Sequence, residues 1–135
     1  MSAREFFGLV SSSLLDRDRA AAILAEEESR LGRSSPSAVP RSSGVSDPTF
    51  RAFERLEAQR ARLDELSRRA DDLLARSEGL LALLPDPELE AAVRLRYLHG
   101  HFPESVAARM GCSRRKVFYL LKRAFAWLDD AAGEL

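Results

Sequence analysis

The 135 residues carry 21 basic and 21 acidic side chains, so the chain has no formal net charge, and its length admits one modest domain or a small domain with helical extensions. The single cysteine excludes an internal disulfide, and with it a disulfide-stapled secreted scaffold. The longest apolar run, residues 80–84, is far too short to cross a bilayer, and Arg4 and Glu5 beside Phe6 and Phe7 do not make a signal-peptide layout, so a soluble protein of a reducing cytoplasm is expected.

An N-terminal helix is expected over residues 1–31, where Phe7, Val10, Leu14, Ala21, Leu24 and Leu31 recur near a three-four spacing. Arg17 and Glu28 interrupt that seam, so the helix needs a partner to be stable. Residues 32–46 then change character: six serines, two prolines and two glycines fill ten of fifteen positions, the composition of a flexible linker.

A long helix is expected over residues 47–84, opened by Asp47 as N-cap and Pro48 in the first turn. Leu56, Leu63, Ala70, Ser77 and Leu84 occupy one heptad slot, and Gln59, Leu66, Leu73 and Leu80 the other. Asp64 with Arg68, Glu65 with Arg69 and Asp72 with Arg76 set acid four residues before base, each pair worth about 0.3 kcal/mol of helix support. At about 1.5 Å per residue such a helix spans roughly 57 Å, more than a small carboxy-terminal domain can cover. Heptads fix neither strand number nor direction. The partner is either the first helix, folded back through the linker as an antiparallel hairpin, or the same helix of a second protomer, and the homodimer is the preferred reading.

Residues 85–135 form the last expected domain. Pro85, Asp86 and Pro87 stop the long helix, and Asp86 with Pro87 starts another that runs through Leu98, with Leu89, Val93 and Tyr97 on one face. Gly100 ends it, and Phe102 is expected to plug the small core. From Pro103 onward the spacing predicts a helix-turn-helix. Such a motif needs a small residue at its fifth position, glycine at its ninth, and apolar residues at the fourth, eighth, fifteenth and eighteenth; these are Ala107, Gly111, Val106, Met110, Val117 and Leu120. Ser113 is the N-cap expected for the second helix.

That second helix carries the candidate chemistry. Arg114, Arg115, Lys116, Phe118, Tyr119, Lys122 and Arg123 fall largely opposite the apolar stripe of Val117, Leu120, Leu121, Ala124 and Leu128. Charge is partitioned accordingly. Residues 94–123 hold eight basic side chains against one acid, Glu104, and the rest of the chain carries the matching acidic surplus. A basic block in a neutral chain suits a polyanion-binding face. Arginine can pair bidentately with the O6 and N7 edge of guanine, lysine and arginine neutralise phosphates, and aromatic rings can touch thymine methyls. The DNA-binding set expected from sequence is therefore Arg109, Ser113, Arg114, Arg115, Lys116, Phe118, Tyr119, Lys122 and Arg123.

Leu95, Arg96 and Tyr97 before Gly100, then Val106, Ala107, Gly111, Ser113 and Val117, and finally Lys122, Arg123, Ala124 and Leu128 resemble region four of bacterial sigma factors, the region that recognises the promoter minus-thirty-five element. With Gly44, Val45, Ser46, Asp47, Pro48 and Thr49 ahead of an acidic-basic helix, the chain is similar to small phage-encoded regulators of the ArpU and RinA kind, presumed controllers of late phage genes. Nothing corresponds to the region of a complete sigma factor that melts the minus-ten element. The resemblance implies a DNA-binding activator or a partner of RNA polymerase, with Arg114, Arg115, Phe118, Tyr119 and Lys122 in the major groove and Arg109, Lys116 and Arg123 at phosphates.

Two rival readings join a helix-turn-helix to an oligomerising coil: a packaging protein akin to a small terminase subunit, and a coiled-coil adaptor that docks another protein. His99, His101 and Cys112 lack a fourth ligand and a zinc spacing. No phosphate-cradling glycine loop, carboxylate pair or activated serine can be assembled. Neither a metal, a cofactor nor an enzymatic activity is expected.

Overall fold

The structure is a computed structural model that describes residues 1–33, 48–133 and 135. The fold is all-α: among the described residues every regular element is a helix, α1 (Ala3–Arg33), α2 (Pro48–Leu81), α3 (Pro87–Val93), α4 (Pro103–Met110) and α5 (Arg114–Ala132), with a π turn over Arg94–Leu98 directly after α3. The expected linker lies outside the described residues except at its first two positions, and so does Asp47, the cap assigned to α2. The chain divides into two compact units, one of Met1–Leu14 with Ala70–Leu135 and one of Leu15–Arg69.

The larger unit gathers the start of α1, the end of α2 and all of α3, α4 and α5 around one core. Phe6, Phe7 and Val10 from α1, Ala70, Leu73 and Leu81 from α2, Leu89 and Val93 from α3, Val106 from α4, and Val117, Leu120, Phe125 and Leu128 from α5 are buried in it. Its centre is aromatic: Phe125 lies 5.9 Å from Phe7 and 5.4 Å from Tyr97, and Phe6 meets Phe7 edge-on at 5.5 Å. Arg4 and Arg76 cover the outside, their guanidinium groups 5.3 Å and 4.9 Å from the rings of Phe125 and Phe6. Ser77, one of two polar members of the heptad seam with Gln59, is fully buried and donates its hydroxyl to the Leu74 carbonyl at 2.7 Å, so its burial leaves no unpaired donor.

The start of α1 is held twice. Ser2 Oγ accepts from the Glu5 amide at 3.2 Å while Glu5 reaches back to the Ser2 amide at 3.4 Å, a reciprocal capping box. Asp129 of α5 accepts from the Ala3 amide at 2.7 Å, placing a carboxylate at the positive end of α1. The end of α2 is tied to the turn after α3 by Arg94, which donates to both oxygens of Glu78 at 2.6 Å and to Glu90 at 2.9 Å. These bonds hold the Glu78 carboxyl below the usual carboxylate range and strengthen the hold of Arg94 on its proton.

Three details of the larger unit depart from the sequence reading. α2 ends at Leu81, and residues 82–84 follow in tighter turns, with Leu83 and Leu84 bonding back three residues to Leu80 and Leu81. The helix after Pro87 does not run to Leu98 in α form; it widens at Arg94 into the π turn, closed by the His99 amide on the Arg94 carbonyl. Phe102 does not enter the core. It is 73% exposed in the N-cap position of α4, where its extended backbone offers the carbonyl to Ser105 and Val106, and the core beneath is closed by Val106 and Ala107.

Among the described residues, the smaller unit consists of the remainder of α1 and the first part of α2. Ala20 and Leu56 are buried, while Leu24, Leu31, Leu63 and Leu66 are half-buried. Ala20, not the expected Ala21, takes the inward position. Arg60 of α2 joins Glu28 of α1 at 3.7 Å and Glu57 at 2.7 Å, so α2 has the same chain's first helix beside it here. The three acid-before-base pairs expected along α2 do not close to ion-pair distance among the described residues. Leu15, Ile23, Phe50 and Phe53 stay exposed.

Candidate nucleic-acid interface

α4 and α5 are joined by three residues, and the chemistry of that turn fixes the direction in which α5 leaves. Gly111 has φ 67° and ψ 37°. Its amide bonds the Ala108 carbonyl and the Cys112 amide bonds the Ala107 carbonyl at 3.0 Å, a Schellman ending. A Cβ added at Gly111 would meet nothing within 4 Å, so glycine is required by the left-handed backbone and not by crowding. Ser113 then caps α5, its Oγ accepting from the Lys116 amide at 3.1 Å. This hydroxyl belongs to the expected DNA-binding set, and its acceptor function is used inside the protein.

α5 has two sharply different sides. Val117, Leu120, Leu121, Ala124, Phe125 and Leu128 are buried. Arg115, Tyr119, Lys122 and Ala126, spaced four, three and four apart, form one exposed stripe on the opposite side. Phe118 and Tyr119 are 48% and 58% exposed, so neither ring serves as a core residue. Five cations, Arg114, Arg115, Lys116, Lys122 and Arg123, and two aromatic rings thus face solvent on a helix held down by its other side.

The charges on this face are not equivalent. Lys116 Nζ lies 3.0 Å from Glu88 of α3, which raises the affinity of the ammonium for its proton. Arg114 Nε lies 3.3 Å from Glu104 of α4, and its guanidinium stands 5.4 Å from the Phe118 ring. Arg109, Arg115, Lys122 and Arg123 form no ion pair among the described residues. All nine expected residues therefore lie at the exposed surface of α4, the turn and α5, but they divide into four unpaired cations, two paired cations, two rings and a capping hydroxyl.

Several contributors escaped the sequence reading. Phe125 continues the four-residue spacing from Val117 and Leu121 and was available to a period count. Ser2 and Glu5 carry the spacing of a capping box. Glu88 and Glu104 show no local signal, because their partners are 28 and 10 positions away and meet them only in the fold.

His101 Nδ1 lies 3.3 Å from Ser105 Oγ, and His99 and His101 stand 6.5 Å apart. Among the described residues no group of three potential metal ligands comes together, and no helix is long and apolar enough to cross a membrane. No protein family, curated protein or solved structure matches the chain.

Proposed function

We propose that the chain is a sequence-specific DNA-binding transcriptional regulator, phage- or prophage-encoded, that reads the major groove with α5. The observation that carries this reading is the solvent-facing stripe of Arg115, Tyr119 and Lys122, whose cations have no ion-pair partner among the described residues, on a helix whose opposite side is anchored in the core. A rigid amphipathic helix with cations and aromatic tips on its free side has the donors for guanine edges and phosphates and the apolar surface for thymine methyls. Arg115, Phe118, Tyr119 and Lys122 are the base-reading candidates, and Arg109 and Arg123 the phosphate contacts. The protein acts in the cytoplasm as a binding protein and not as an enzyme, and bacterial RNA polymerase is a further partner suggested by the sigma-like sequence pattern.

The same proposal includes a homodimer formed through the long helix. Its support is the thin packing of the smaller unit, where among the described residues only Ala20 and Leu56 are buried apolar side chains while Phe50 and Phe53 remain 59% and 53% exposed. Selection of bound sequences from a random duplex pool, with light scattering on the same sample, tests both parts. An enriched motif with a dimer mass supports site reading by paired protomers. A large ring favours packaging, and weak, salt-sensitive binding without a motif defeats the regulator reading.

A further inference from the structure

We propose that Glu88 and Glu104 are competitors built into the duplex-binding face, withholding Lys116 and Arg114 from DNA phosphate and so setting the strength and salt dependence of binding. This rests on the duplex reading above and removes Lys116 from the phosphate-contact set that the sequence resemblance implies.

The geometry is specific. α5 begins with three consecutive cations, Arg114, Arg115 and Lys116, at the helix end where the backbone dipole is already positive. Among the described residues one of the three, Arg115, has no ion-pair partner. The other two each meet a carboxylate from a different neighbouring helix, Glu88 of α3 at 3.0 Å and Glu104 of α4 at 3.3 Å. Lys116 also lies about 100° around the helix from Arg115, given 3.6 residues per turn, and so points toward α3 instead of along the stripe. Both pairs are open to solvent and contribute little to stability. Their effect on a polyanion is larger: phosphate must displace the carboxylate from its cation, and the displaced carboxylate stays beside the phosphate as a like charge. Phosphate binding therefore runs on Arg109 and Arg123, with Arg115 and Lys122 left to the base edges.

The test is a salt titration of random-sequence duplex binding for the full chain and the variants Glu88→Gln, Glu104→Gln and Lys116→Met. With Arg109 and Arg123 as the phosphate contacts, the logarithm of the binding constant falls with the logarithm of salt at a slope of about −1.8, and each Glu→Gln steepens it by about 0.9. At low salt each should tighten binding roughly three- to tenfold. Lys116→Met leaves the wild-type slope unchanged but cancels the steepening when combined with Glu88→Gln. Thermal melts of the same samples separate a purely structural role, in which Glu88→Gln lowers the melting temperature and leaves the slope alone. That outcome, or a shallower slope for Lys116→Met alone, overturns the proposal while leaving duplex binding intact. If neither wild type nor either Glu→Gln variant binds any duplex, the duplex reading itself falls and this assignment with it.

Discussion

The two compact units share the same pair of long helices, and they differ in what covers them. In the larger unit Phe6, Phe7 and Val10 of α1 and Ala70, Leu73 and Leu81 of α2 are sealed by α3, α4 and α5. In the smaller unit the pair has no third layer among the described residues, and Leu63 and Leu66, which sit on the same heptad seam as Ala70 and Leu73, are only half-buried. A periodic seam therefore says where a helix will bury itself but not how deeply. Depth comes from the elements that close over it, and two helices alone leave much of each apolar stripe facing water. The exposed basic face of α5 stands on the unit that is closed.

The largest break in this comparison comes from the aromatic centre. Phe7→Ala removes a ring packed against Phe125 and Tyr97 and should destabilise the larger unit by about 3–5 kcal/mol in denaturant unfolding. Leu56→Ala, in a unit free to relax, should cost about 2 kcal/mol, the low end for such a truncation. Equal losses would remove the distinction. Next is Gly111→Ala, which forces a Cβ into the left-handed region and should cost about 1–2 kcal/mol with no cavity formed. Chemical denaturation together with duplex affinity is the check, because tilting α5 should weaken binding beyond the stability loss. Asp129→Ala removes a carboxylate from the start of α1 and should cost about 1 kcal/mol. Amide exchange should then quicken in the first turn of α1 before any other segment of the larger unit.

The smallest effect concerns Glu78. Its folded carboxyl is held below the unfolded value by Arg94, so its contribution is fully present above the ordinary carboxylate range and is lost as pH falls through the folded pKa. The side chain is half-exposed, and solvent screening limits the contribution to less than about 1 kcal/mol. Stability measured from pH 7 down to pH 3 should therefore fall slightly less steeply in Glu78→Gln than in wild type. A parallel pair of curves would show that the Arg94 bridge is idle.

Much of this was legible in the sequence because the signals were local. Gly111 and Ser113 announce a turn by their backbone needs, Pro87 follows its Asp86 cap, and the buried side of α5 follows from a 3.6-residue period. Phe102 misled because an aromatic residue before a helix resembles a core plug, whereas its backbone is used to start α4 and its ring is left outside. The π turn at Arg94 has no local signature; it coincides with the reach of Arg94 to Glu78, sixteen residues earlier, and to Glu90. Arg114, expected in the major groove, and Lys116, expected at phosphate, both looked available for the same reason, since nothing beside them in the chain reveals the carboxylates that α3 and α4 bring alongside.

The central claim is that α5 reads bases with its outward stripe and grips phosphate at its margin. Its most direct test compares Arg115→Ala with Arg123→Ala on a selected duplex and on a scrambled one. Arg115→Ala should cost about 1–3 kcal/mol on the selected duplex and little on the scrambled one, while Arg123→Ala should weaken both alike and reduce the salt slope by about 1. Equal losses on both duplexes for both variants would contradict the account.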